Sequence, residues 1–273
     1  MIEQINDIKT VQRKGLRILL EVDAICKTNG ITYFLEGGTL LGAVRHQGFI
    51  PWDDDIDITM LREDYELFIN KAKEELPSRY FLQTTFDDPH FPFGFAKIID
   101  TKSRFPNNKN KFKTGFCIDV LPIDNAHDNK IIHNLNIFII KVIQGLSKSK
   151  IVLDMSNYNS TIIKITVKIA SITGKLFSTR FLMEMQRKIA TMNNYKKTKN
   201  KCIYSYQFNY LNRLFPREIY EDVEMLNFEG YNLPAPKGWD KSLRILYGDY
   251  MTLPPIEKRV PLHGFEKIQF IED

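Results

Sequence analysis

Apolar positions divide the chain into a mixed first part and a helical, basic second part. Ile5, Ile8, Val11, Leu16, Leu19, Leu20, Val22 and Ile25 recur at helical spacing, which predicts an amphipathic helix over residues 3–28. Gly30 is its expected stop. An apolar run over 31–36 reads as a short strand ending at Gly37 and Gly38, and a helical run from Thr39 to His46 follows. Four aspartates, Asp53, Asp54, Asp55 and Asp57, then run into the alternation Ile56, Ile58, Met60. Strand geometry puts Asp53, Asp55 and Asp57 on one face and the isoleucines on the other. A helix over 62–76 carries the stripe Tyr65, Phe68, Ile69, Ala72, Leu76, and Pro77 ends it. Strands are expected over 80–85, 94–100 and 115–124. In the last, Phe116, Ile118 and Val120 oppose Cys117, Asp119 and Leu121, with a turn at Pro122.

From Lys130 to about Lys188 the period becomes helical. Ile131, Leu135, Phe138, Ile139, Val142 and Ile143 form one stripe; Ile162, Ile163, Ile165, Val167, Ile169 and Ile172 form a second. Both are expected to pack on the core and leave a solvated basic face, or to lie on an anionic membrane or polymer. Aromatic alternation over 204–210, a turn-rich connection near 229–236, a helix over 240–247 and a Gly- and Pro-rich loop complete the chain. The class is α+β: a mixed β-sheet flanked by helices, with a basic helical appendage. Residues 1–129 form the core, 130–201 the basic segment, and 202–273 a C-terminal part expected to complete the site.

The chain has 273 residues, 43% of them hydrophobic, enough for a sizeable core. Its formal charge of +5 is uneven: residues 130–201 hold 14 Lys and Arg against Asp154 and Glu184, a local +12 that leaves −7 elsewhere. That asymmetry points to anionic partners for the segment, while no motif supports nucleic acid. Cys26, Cys117 and Cys202 are far apart, which argues against a disulfide framework or zinc site and fits a reducing compartment. The first residues lack a signal-peptide pattern, and no uncharged apolar run is long enough to span a bilayer. The expected location is cytoplasmic, with peripheral contact at the inner face of the membrane.

Carboxylates do not belong on a core strand, because burying an unpaired charge costs several kcal/mol. Asp55 and Asp57, about 6.5 Å apart along a strand, are spaced to grip one cation. Oxygen ligands on a rigid strand suit Mg²⁺, with Mn²⁺ as the alternative. A calcium loop is excluded by Ile58 and Asp64, which stand where that loop needs Gly and Glu. Asp119 repeats the anomaly of an acid in an apolar strand. Gly37 and Gly38 permit close backbone approach to a phosphate at a helix start. Arg45 either clamps a phosphate or pairs with the aspartates. Lys97 is either an edge-strand lysine reaching for solvent or a phosphate ligand.

The string Glu36-Gly-Gly-Thr-Leu-Leu-Gly-Ala-Val-Arg-His46, followed by Gly48-Phe-Ile-Pro-Trp-Asp-Asp-Asp-Ile-Asp-Ile58, resembles the LicD family of phosphocholine transferases and their fukutin-type relatives. The Lys97-Ile pair, Tyr247-Gly-Asp-Tyr-Met251, Pro254-Pro255, Arg259 and His263 extend the resemblance. It implies a nucleotidyltransferase-like core in which Asp55, Asp57 and Asp119 hold the metal. It also implies transfer of a phosphoalcohol, phosphocholine first, from a CDP-activated donor such as CDP-choline. The acceptor is then a hydroxyl of a cell-surface glycan, lipid-linked glycan or teichoic-acid precursor, and CMP leaves. Asp53 or one of the metal acids would take the acceptor proton. Gly37, Gly38, Thr39, Arg45 and Lys97 would hold the donor, with Arg259 and His263 placed there only by the family pattern. Two other readings are a nucleotidyltransferase that adds a nucleotide to a small molecule or phosphosugar, and a non-catalytic glycan-binding protein at the membrane surface.

Overall fold

A computed structural model describes residues 2–4, 7–106, 108–149, 151, 172–262 and 264–271. Strand β1 (Ile2–Gln4) precedes helix α1 (Ile8–Asn29), which Gly30 closes in a left-handed conformation. Residues 3 and 4, expected within that helix, are therefore strand. They pair antiparallel with the far end of the chain, Gln269–Ile271, a contact no local pattern could announce.

Next come β2 (Phe34–Leu35), α2 (Gly37–His46), β3 (Asp57–Leu61), α3 (Arg62–Glu75), β4 (Tyr80–Gln83), β5 (Ala96–Asp100), β6 (Ser103–Arg104) and β7 (Cys117–Asn125). The second half holds α4 (Lys130–Lys148), α5 (Thr179–Thr191), β8 (Asn200–Cys202) and β9 (Phe215–Pro216). It continues with the hairpin β10 (Val223–Phe228) and β11 (Tyr231–Pro236), then α6 (Trp239–Tyr247) and β12 (Gln269–Ile271).

The main sheet is mixed and runs β2-β3-β7-β5-β4, with β8 and β9 added along the C-terminal end of β7. β3 and β7 are parallel; β7 and β5 are antiparallel. The core between this sheet and α1 and α3 is built from Ile18, Leu19, Ile58, Met60, Phe68, Ile98, Ile118 and Val120, all essentially without solvent contact. The predicted strand alternation therefore holds where it buries isoleucine.

Pro122 does not turn the chain; it sits inside β7. The Asp119 amide donates toward β3, to the Ile56 carbonyl at 2.9 Å, so alternation aims the position of Pro122's missing N–H at the opposite edge. There β5 pairing has ended at Val120 and β8 pairing starts only at Asp124. A proline fits this gap because no donor is required.

The first predicted stripe is split: Ile143 is buried and Ile139 packs against its cluster, but the other four residues do not turn inward. Ile131, Leu135, Phe138 and Val142 of α4 face outward, while His133, Asn136, Ile137, Ile140, Ile143, Gln144 and Ser147 face the body. The reason is polar pairing: Gln144 Nε2 donates to the Tyr204 carbonyl at 3.2 Å, and Ser147 Oγ to the Pro92 carbonyl at 3.3 Å. Of the second stripe, Ile162 to Ile169 lie outside the described residues.

Candidate active site

Three strands bring charge to one place. Asp57 opens β3, Asp119 stands opposite it on β7, and Lys97 stands opposite Asp119 on β5. Residues in register on adjacent strands share a face, so the three form a row across the sheet. Lys97 Nζ lies 2.6 Å from Asp119 Oδ1. β5 is paired on both sides, by β7 and β4, so Lys97 is not an edge-strand lysine reaching for solvent.

Asp53 and Asp55 precede β3 and line the same cleft as Asp57 and Asp119. The extended segment alternates as expected, although ladder pairing begins only at Asp57. Asp54 points the other way, is buried, and accepts the Leu262 amide at 3.2 Å.

The glycine pair meets these acids directly. Gly37 has φ +55°, and a Cβ there would fall 3.5 Å from Asp57 Oδ2. A Cβ on Gly38 would fall 2.7 Å from Asp53 Oδ2. Gly37 is called for by its left-handed backbone, and a Cβ on Gly38 would displace the Asp53 carboxylate, so the pair lets the start of α2, with its partial positive charge, sit against these acids. Thr39 is buried, and its Oγ1 accepts the Asp57 amide at 2.9 Å; it holds the start of β3 rather than lining the cleft.

Burial pushes Asp57 well above the ordinary carboxylate range, and the charges of Asp55 and Asp119 add to the shift while Lys97 opposes it. Burial works against the Lys97 ammonium, but Asp119 beside it outweighs that and raises its pKa. Four carboxylates, those of Asp53, Asp55, Asp57 and Asp119, and the ammoniums of Lys97 and Lys148 line the same cleft. Among the described residues no group of three or more His, Cys, Asp or Glu side chains is arranged to hold a metal ion as it stands. The chemistry of the donors still fits a hard divalent cation: carboxylate oxygens only, on a rigid sheet, with Asp57 short of positive charge.

The cleft holds about 420 Å³. Its lining is also aromatic, with Phe93, Phe95, Tyr206, Tyr210 and Tyr247. Lys148, from the last turn of α4, completes it. Its ammonium lies 5.6 Å from the Phe93 ring centre and 5.0 Å from that of Phe208. Burial lowers its pKa, and it makes no ion pair among the described residues. In sequence Lys148 is one of many lysines in a basic segment; only the packing of α4 selects it.

Glu36 is a second residue that sequence reading passed over. It is fully buried at the cap of α2, and its carboxylate accepts the Tyr206 hydroxyl at 2.6 Å and the Tyr220 hydroxyl at 3.5 Å. Burial raises it to about 7 despite those hydrogen bonds. An acid among apolar neighbours beside a glycine pair was the signal available.

Arg45 is at the opposite end of α2 from the glycines, where it donates to the Tyr250 carbonyl at 2.6 Å. Burial, and then the charge of Arg259, lower its pKa. Arg259 donates to the Pro254 carbonyl at 2.8 Å and lies over the Trp52 ring. These two arginines gather with each other, and neither is among the residues lining the acid cleft. His263 lies outside the described residues.

Acids on adjacent strands of a mixed sheet thus stand beside a glycine-started helix. Residues 30–138 match the family model described as LicD/FKTN/FKRP, nucleotidyltransferase domain. Over 263 residues the chain is 31% identical to the lipopolysaccharide cholinephosphotransferase LicD of Haemophilus influenzae, a match spanning 91% of this chain and 92% of that relative. The chain belongs to the LicD family. A shorter match, 49% identical over 43 residues, reaches the ribitol 5-phosphate transferase FKRP of Homo sapiens and covers 16% of this chain and 9% of that one.

Proposed function

We propose that this protein transfers phosphocholine, or a related phosphoalcohol, from a CDP-activated donor to a hydroxyl of a cell-surface glycan or teichoic-acid precursor. The observation that carries the reading is the row Asp57–Asp119–Lys97, with Asp53 and Asp55 beside it, in a cleft of a chain related along its length to a cholinephosphotransferase.

The acceptor oxygen attacks the phosphorus that bears the alcohol, the bond from that phosphorus to the CMP oxygen breaks, and CMP leaves with the electron pair. Asp55, Asp57 and Asp119 would hold Mg²⁺, or Mn²⁺ in its place, and that ion would neutralise charge on the donor's diphosphate. Lys97 holds Asp119 in orientation through its 2.6 Å contact. Asp53, against Gly38 at the start of α2, takes the acceptor proton. Lys148 pairs with donor phosphate oxygens. The aromatic lining receives the alcohol, and a trimethylammonium group gains from its ring faces. Little covalent chemistry is asked of the protein; positioning and charge neutralisation supply most of the rate.

The test is incubation with CDP-choline or CDP-ribitol, a glycan acceptor and Mg²⁺, followed by nucleotide analysis. CMP release that depends on the acceptor is the expected result. The domain's kinship with nucleotidyltransferases favours one second reading, nucleotide addition. Pyrophosphate release from CTP with no CMP from either donor would establish that reading instead.

A further inference from the structure

Helix α4 is apolar on both sides, with Ile137, Ile140 and Ile143 buried on its inner one. The side it turns inward is rich in polar groups, among them Asn136, Gln144 and Ser147. The side it turns outward carries Ile131, Leu135, Phe138 and Val142, exposed at 79%, 54%, 64% and 46%. Their spacing makes one continuous stripe along the helix.

On neighbouring α5, Phe181 and Met185 are also exposed. The two helices pack through Ile143, Leu182 and Met183, and Asn136 Nδ2 lies 3.6 Å from Met192 Sδ. Exposed apolar side chains thus occur on both of two packed helices. Patches of this kind on a protein surface mark a partner or a membrane.

Charge chooses between those occupants. Lys130, Lys175, Arg180 and Lys188 are exposed on the same segment. Among its described residues the one acid is Glu184, already paired with Arg180 at 3.1 Å. Two copies meeting through such a face would bring like charges together, whereas an anionic lipid surface satisfies the apolar stripe and the cations at once. No described helix is long and apolar enough to cross a membrane, which fits a helix that lies in the surface.

We propose that α4 docks on an anionic bilayer, with Ile131, Leu135, Phe138 and Val142 seated below the headgroups and the flanking lysines at the lipid phosphates. The last residue of the same helix, Lys148, lines the acid cleft, so docking brings the cleft's wall to the membrane. The docking does not depend on the transferase reading.

The experiment is co-sedimentation of the full chain with phosphatidylcholine vesicles, with and without phosphatidylglycerol. Binding to the anionic vesicles that weakens at high salt is expected. Leu135→Asp with Phe138→Asp should lower that binding at least about tenfold, with an unchanged melting temperature because both side chains face outward. Ile131→Ser, a milder change at the most exposed site, should weaken binding in the same direction. Three results would overturn the proposal: no vesicle binding by the wild type, equal binding by wild type and double variant, or light scattering that shows a wild-type dimer which the double variant separates.

Discussion

The acid cleft and the outer face of α4 break the usual rule of burial in opposite senses. In the cleft, carboxylates stand in a sheet whose other face is isoleucine, and Asp57 is held against its tendency to ionise. On α4, Ile131, Leu135 and Phe138 meet solvent while Asn136, Gln144 and Ser147 are buried beside Ile137, Ile140 and Ile143. The two proposals assign each arrangement a different class of partner: positive charge for the cleft, an apolar medium for the helix.

The two regions are joined mechanically. Asp124, at the end of β7, receives Arg62 through two hydrogen bonds of 2.8 and 2.6 Å and Asn194 through one of 2.7 Å. Arg187 of α5 reaches Glu66 of α3 at 3.0 Å. The helical segment is thus pinned to the strand that carries Asp119.

The comparison can be broken most sharply at Asp57. Asp57→Asn should lower turnover by about a thousandfold, because the proposed metal site would lose a ligand. The melting temperature should not fall, because the amide keeps the shape of a side chain whose ionisation burial and the neighbouring acids already oppose. A variant that keeps full turnover would remove the metal assignment.

Arg62→Met should cost about 3 kcal/mol of stability, since it strands the buried Asp124 carboxylate. Urea denaturation reads that loss. If α4 and α5 depend on this tie, their protection from hydrogen exchange should drop ahead of that of β3 and β5.

Glu36 tests the cleft by pH. Its pKa is about 7 in the fold and near the ordinary carboxylate value when unfolded. The protonated form is favoured in the folded state, so its contribution is complete below about pH 4.5 and is lost as pH rises through about 7. The contribution amounts to about 3 kcal/mol across that window. Melting temperatures of wild type should therefore fall between pH 5 and 8, and Glu36→Gln should flatten the slope; parallel curves would exclude this carboxyl as the cause.

The smallest effect is expected at Lys148. Lys148→Met should raise KM for the CDP-linked donor about tenfold, with little change in kcat. A fall in kcat with constant KM would instead place this ammonium at the leaving group in the transition state.

Much of the site was legible before any fold was known. An acid run entering an isoleucine alternation has few physical readings, and the structure orders Asp53, Asp55 and Asp57 on one side as strand periodicity requires. Less was legible where the deciding contact lies far along the chain. Strand β1 exists because it meets residues 269–271. Pro122 continues a strand because two neighbours leave a gap beside it. Arg45, one residue from the end of α2, turns to the Tyr250 carbonyl, while Lys148 enters the cleft.

The covalent order of residues by itself determined what repeats locally: the helical and strand periods, the glycines that open α2, and the acids of a single strand. Period and spacing are properties of neighbours in the chain. Tertiary structure decided which side of each stripe turns inward, and which charges from separate elements share one cleft. Those outcomes rest on pairings such as Gln144 with Tyr204 and Lys97 with Asp119, whose partners are distant in sequence and become neighbours only when the sheet and helices close.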